Sequence, residues 1–160
     1  MAQIIDGKKI STQIKDEVKE QVAALKQKGI DVTLAVIQIG KDPASTVYVG
    51  NKKKACEYVG IRSLAYELPE ETTEKKLLEL IRELNDRTDV NGILVQMPLP
   101  KHINAAKVIE TIAHEKDVDG FGPYNAGLLH ENDPRAMVAA TPKGILYLLE
   151  HSVGDLSGKH

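Results

Sequence analysis

Apolar residues recur along this chain at two spacings, and the alternation between them predicts its elements. Ile10, Ile14, Val18, Val22 and Leu25 fall three or four residues apart, which predicts an amphipathic helix over residues 8–28 that Gly29 can end. Val32 to Ile39 is apolar on both faces apart from Thr33 and Gln38, as a strand buried in a parallel sheet would be. The loop Gly40-Lys-Asp-Pro43 leads to a helix over 44–59, closed by Gly60. Residues 61–68 read as a second strand. Leu77, Leu78, Ile81 and Leu84 mark the next helix, and 90–96 a third strand. A short helix is expected over 105–112. A glycine-rich stretch and a loop at Glu131–Arg135 follow, then Thr141-Pro-Lys-Gly144 leads into a last helix over 145–151, with Pro142 well placed in its first turn. Strands separated by helices predict an α/β fold, a three-layer αβα domain with a mainly parallel sheet, and one such domain over residues 1–160.

Composition narrows the classes. The chain has 160 residues, 42% hydrophobic and 28% charged, enough for one sizeable core. A net charge of -2 argues against a broad cationic surface, so nucleic acid is not an expected partner. No apolar run approaches the ~20 residues of a membrane span, and Met1 to Asp6 lacks the pattern of a signal peptide. The single Cys56 allows no internal disulfide and fits a reducing cytosol, so the expected location is cytoplasmic. The five histidines show no local zinc spacing, and no metal is expected.

Three polar groups are candidates for chemistry at the carboxyl edge of the sheet. Gln96 follows the buried run Ile93-Leu94-Val95 and precedes Pro98 and Pro100, which stiffen the exit loop. A rigid loop with an amide at its root can hold a ligand group still, though the same stretch also reads as a strand end with a proline stop. Tyr48 and Lys52 are i and i+4 on the second helix and share a face. A ring beside an amine can stack on a flat ligand while the amine moves a proton, but a lysine at its ordinary pKa is neutral in roughly one molecule in a few thousand at pH 7, so a base needs a lowered value. A solvated basic face, with Lys53 and Lys54, is the alternative. Asp117 and Asp119 lie in a tight loop with Gly120 and Gly122. An aspartate there can accept paired N–H bonds from a planar amino-heterocycle, or simply close an Asx turn. Two carboxylates two apart fall short of a calcium loop. Cys56, one turn past Lys52, reads as a packed small residue.

Taken in order, Asp42-Pro-Ala-Ser45, Tyr48-x-x-x-Lys52, Gly92-Ile-Leu-Val-Gln-Met-Pro-Leu-Pro100, Lys116-Asp-Val-Asp-Gly-Phe121 and Thr141-Pro-Lys-Gly144 strongly resemble the bifunctional methylenetetrahydrofolate dehydrogenase/methenyltetrahydrofolate cyclohydrolase family of one-carbon metabolism. The resemblance covers nearly the whole chain. It implies that Lys52 is the catalytic lysine, Gln96 its glutamine partner, Tyr48 the tyrosine that stacks on folate and Asp119 the aspartate that grips the pterin. It departs at Ala140, where the family often has cysteine, and at Gly122, where it often has histidine.

The resemblance further implies a folate substrate, NADP (or sometimes NAD) as hydride acceptor, and a homodimer for the intact enzyme. Family members continue past Leu156-Ser-Gly-Lys159 into a Rossmann domain that binds the nucleotide. No Gly-x-Gly-x-x-Gly fingerprint occurs in this sequence. The expectation is therefore a folate-side catalytic domain, lacking that C-terminal domain, that binds no nucleotide by itself and has no dehydrogenase activity. A fragment that holds folate without turning it over is the competing expectation.

Overall fold

The central strand is β1 (Thr33–Ile39), and a computed structural model, which describes residues 4–158, builds the rest of the fold around it. The ends of the expected domain, residues 1–3 and 159–160, lie outside the described residues. β2 (Arg62–Leu68) and β3 (Gly92–Val95) pair with β1 on either side, both parallel, giving the order β2-β1-β3. Leu34 sits opposite Ser63 and Gly92, and Ile37 opposite Tyr66 and Val95.

Helices cover both faces, as the alternation predicts. Ala35, Ile37 and Ile39 point to a core formed with Leu77, Ile81 and Leu84 of α3 (Glu74–Asp86) and Val108 of α4 (Ala105–Thr111). Val36 and Leu94 point the other way, onto Val49 of α2 (Pro43–Val59). Full burial of one such aliphatic side chain stabilises by ~1.5–3 kcal/mol, so the residues on the α3 side dominate the core. Behind α2 lies α1 (Gly7–Gln27), where Lys15 and Lys19 place their ammonium groups 5.8 and 4.9 Å from the centre of the Tyr58 ring.

Helix boundaries follow local chemistry. Asp42 caps α2 by accepting from Ser45 N at 2.8 Å, Pro43 takes the first turn where no N–H is needed, and Gly60 closes the helix at φ 84°. Two elements differ from the sequence reading. The glycine-rich stretch contains α5 (Pro123–His130), whose only buried residue is Asn125, so it carries no apolar stripe to announce it. The last helix, α6 (Ala140–Val153), begins five residues before Ile145, because Pro142 fits inside its first turn. Among the described residues, no helix is long and apolar enough to cross a membrane.

Candidate functional site

Gln96 leaves β3 still hydrogen-bonded to the sheet, its backbone N–H donating to Ile37 O at 2.8 Å. That tie fixes where its side chain starts. The side-chain Nε2 donates to Met97 O at 2.7 Å, which turns Oε1 toward α2. Lys52 Nζ donates to that Oε1 at 3.0 Å. The following Met97–Pro98 peptide is cis. The loop beyond it is anchored at its far end: His102 Nε2 lies 2.9 Å from Thr72 O, and Asn104 N donates to Glu74 at 2.8 Å.

On α2, Lys52 is half-buried and Tyr48, one turn earlier, is 61% exposed. An exposed ring next to a half-buried amine leaves a face free for a flat ligand. Lys53 lies on another side of the helix. It lines a cavity of about 1080 Å³ between α2 and β2, together with Gln38, Thr46, Ala65 and Glu67. Cys56 is buried and its thiol is pushed up by burial, consistent with packing and not with a nucleophile.

The third group, Asp117 and Asp119, lies in the loop after α4. Burial pushes the Asp119 carboxyl up, the Lys52 charge pulls it back, and Asp117 adds to the rise. Lys52 is thus shared between an amide oxygen and the field of a carboxylate. Asp117 faces inward. It is 2% exposed and accepts from Gly120 N at 3.1 Å, Gly122 N at 2.8 Å and Asn125 Nδ2 at 3.1 Å. The two aspartates therefore differ: Asp117 closes the loop through its hydrogen bonds, while Asp119 makes none of them and lies within the field of the Lys52 charge.

Two features that hold this loop are not apparent from residue pattern. Lys116 Nζ donates to the carbonyls of Leu84, Asn85 and Arg87 at the end of α3, at 3.1, 2.7 and 2.7 Å. Gly92 lets the loop lie against β3, since a Cβ there would stand 2.5 Å from Val118 Cγ1. The Gly was visible in the sequence, but the neighbour that requires it was not.

Comparison with known proteins decides the family. The model for "Tetrahydrofolate dehydrogenase/cyclohydrolase, catalytic domain" matches residues 5–119. The chain belongs to this family. The bifunctional protein FolD of Lachnoclostridium phytofermentans is 64% identical over 159 residues, 99% of this chain and 56% of that protein. The FolD protein of Agathobacter rectalis is 60% identical, over 99% of this chain and 57% of its own length. Among solved structures, the bifunctional FolD methylenetetrahydrofolate dehydrogenase/cyclohydrolase of Campylobacter jejuni superposes with a TM-score of 0.94 at 47% identity, covering 96% of this chain and 55% of that one. A Trypanosoma brucei methylenetetrahydrofolate dehydrogenase-cyclohydrolase, solved with NADP cofactor and an inhibitor, gives a TM-score of 0.90 at 36% identity, over 94% of this chain and 52% of that one. The chain thus spans just over half the length of the relatives it matches.

Among the described residues, no group of three or more His, Cys, Asp or Glu side chains is placed to hold a metal ion.

Proposed function

We propose that residues 1–160 form the folate-binding catalytic domain of a methylenetetrahydrofolate dehydrogenase/methenyltetrahydrofolate cyclohydrolase, acting in cytoplasmic one-carbon metabolism. The observation that carries this reading is the bond from Lys52 Nζ to Gln96 Oε1 at 3.0 Å, with Asp119 close enough for the lysine charge to act on its carboxyl. In this reading Asp119 accepts N–H bonds from the pterin, Tyr48 stacks on the flat part of the folate, and Lys52 faces the reacting carbon.

The hydrolysis follows from that arrangement. Water adds to the cationic bridging carbon of methenyl-tetrahydrofolate, forming a C–O bond. One C–N bond of the ring then breaks, leaving a formyl group on the other nitrogen. Of the two protons of the water, one ends on the freed nitrogen and one passes to solvent. Lys52 moves a proton between these atoms while Gln96 holds its Nζ in place.

In the intact enzyme, oxidation of methylene-tetrahydrofolate sends a hydride to NADP or NAD, and the intact enzyme works as a homodimer. The first two strand-to-helix turns do not fit the nucleotide. At the start of α2, Pro43 has no N–H and the Asp42 carboxylate takes the N–H of Ser45. The turn from β2 to α3 carries Glu70 and Glu71. Neither offers an anion cradle.

A spectrophotometric assay of methenyl-tetrahydrofolate hydrolysis, on this chain and on its Lys52→Met variant, tests the reading. Turnover above the uncatalysed rate that disappears in the variant supports it. Folate binding with no turnover in either protein favours a binding fragment, and no folate binding at all overturns the reading.

A further inference from the structure

Asp119 owes its place to residues that never touch it. It sits between Asp117 and the glycines Gly120 and Gly122, whose N–H groups both donate to the Asp117 carboxylate, and that carboxylate is in turn held by Asn125. This asparagine is 3% exposed, although it lies in the short, largely exposed helix α5. Its Nδ2 donates to His114 O at 3.2 Å and to Asp117 Oδ2 at 3.1 Å. Its Oδ1 accepts from Met137 N at 3.2 Å. One carboxamide therefore joins three separated segments: the chain entering the loop, the loop itself and the stretch leading into α6. Only a side chain with a donor and an acceptor on one rigid plane can do this. An aspartate lacks the donor, and a leucine of similar shape lacks both.

A second observation supports the same clamp from the backbone. Gly120 has φ 65°, and a Cβ there would stand 2.2 Å from Met137 O. The loop is pressed flush against the segment that Asn125 holds. A buried polar network of this kind, with every member satisfied, specifies one geometry and loses it when one member is removed.

We propose that Asn125 is a positioning residue for Asp119, clamping the 117–122 loop between His114 and Met137 so that the Asp119 side chain stays on the Lys52 side of the site. The functional consequence rests on the reading of Asp119 as the group that grips the pterin.

The test compares the chain with its Asn125→Ala and Ile81→Val variants. The second thins the core between α3 and the sheet without touching the Asn125 hydrogen bonds, and serves as a control for lost stability. Three quantities are read by NMR and titration: amide exchange of Gly120 and Gly122, the titration of the Asp119 carboxyl, and the affinity for tetrahydrofolate. Asn125→Ala is expected to speed exchange at both glycines by about tenfold relative to amides of β1, the size of one buried hydrogen bond. It should also lower the Asp119 titration point as the loop opens to water, and weaken tetrahydrofolate binding by about tenfold. Ile81→Val should move none of these relative to β1. If Asn125→Ala fails to fold, Asn125→Ser, which keeps one hydroxyl donor, is read in the same way with smaller changes expected. Unchanged glycine exchange and unchanged Asp119 titration in a folded Asn125 variant overturn the proposal. If those two readings move while the chain itself binds no tetrahydrofolate, the clamp stands and the folate reading falls.

Discussion

Lys52 Nζ donates to Gln96 Oε1 at 3.0 Å, and this one bond ties α2 to the end of β3. The two residues are 44 positions apart in sequence. The Gln96 end is fixed by its own N–H to Ile37 O and by its Nε2 to Met97 O. An amine held this way loses little further freedom when it meets a substrate, which is the use of a supporting hydrogen bond at a reacting group.

The first prediction separates Lys52 from its neighbours. Lys52→Met is expected to lower cyclohydrolase turnover by ~10²–10⁴-fold, the usual range for removing a general acid or base, while folate affinity changes little. Lys53→Met should have a small effect, because Lys53 lines the cavity on the β2 side of the helix and not the Gln96 side. Steady-state kinetics on the three proteins decides this, and equal losses in both variants would exclude a special role for Lys52.

How much of this was legible in the sequence depends on which signal carried it. α2 was legible to within a residue: the sequence starts it after the loop Gly40–Pro43 and closes it at Gly60, and the structure adds that Asp42 is its cap and Pro43 its first residue. β1 and β3 were legible because burial on two faces demands continuous apolar runs, whereas β2 lies at the sheet edge with none of its residues fully buried. α5 was not, since Pro123–His130 buries only Asn125 and has no stripe to show a period. For the site, residue pattern alone left Lys52 as part of a basic helix face. Only the ordered set of motifs joined it to Gln96 and Asp119; the structure bonds Lys52 to Gln96, puts the Asp119 carboxyl within the field of the lysine charge, and leaves Tyr48 exposed one turn away. Asn125 and Lys116 were missed as supports because their partners are backbone groups or lie far along the chain, where no spacing rule points.

The second prediction concerns the cost of keeping Asp119 where it is. Burial raises its carboxyl above the ordinary value of about 3.9 for an unfolded chain. Between the unfolded and folded values the native state binds more protons than the unfolded state, so stability falls as pH rises through that window. Above it the loss is complete; below the unfolded value it is absent. Asp119→Asn should therefore be more stable than the natural chain at pH 7 and no more stable at pH 3, as read by urea unfolding at both values. Asp119→Ala should weaken folate binding by ~1–3 kcal/mol, the range for truncating a hydrogen bond to a charged group. Unchanged folate affinity in a folded Asp119→Ala protein would remove the pterin role.

A third prediction tests whether the loop needs Gly92. An alanine methyl there would overlap Val118 Cγ1 and crowd Leu34 Cδ1, which would stand 3.3 Å away. Overpacking of this kind costs ~1–3 kcal/mol. Gly92→Ala is expected to destabilise the chain by about that amount and to weaken folate binding, since the Val118 it displaces adjoins Asp119. Adding Val118→Ala should recover part of both losses. A double variant no better than the single one, in thermal unfolding and in folate titration, would show that the contact is not what limits this position.

The last prediction is that this chain binds NADP no tighter than a dissociation constant of about 100 μM, some 5.5 kcal/mol. A dinucleotide is held by backbone N–H groups that converge at the start of a helix after a strand. β1 leads into such a helix, but its N-terminus is already occupied by the protein itself. Asp42 accepts from Ser45 N at 2.8 Å, and Thr46 N turns back to Asp42 O at 2.9 Å. The hydrogen bonds from Ser45, through its backbone and then its side chain, hold the Asp42 carboxyl below its usual range, so it is an anion at neutral pH. A phosphate arriving there would displace a satisfied carboxylate and meet its charge on the way. Calorimetric titration with NADP is the direct measurement. Binding tighter than 100 μM would locate a nucleotide site on this chain and contradict the argument from α2. If tight binding appeared only in Asp42→Ala, the α2 terminus would be the right place and its own cap the reason it is closed.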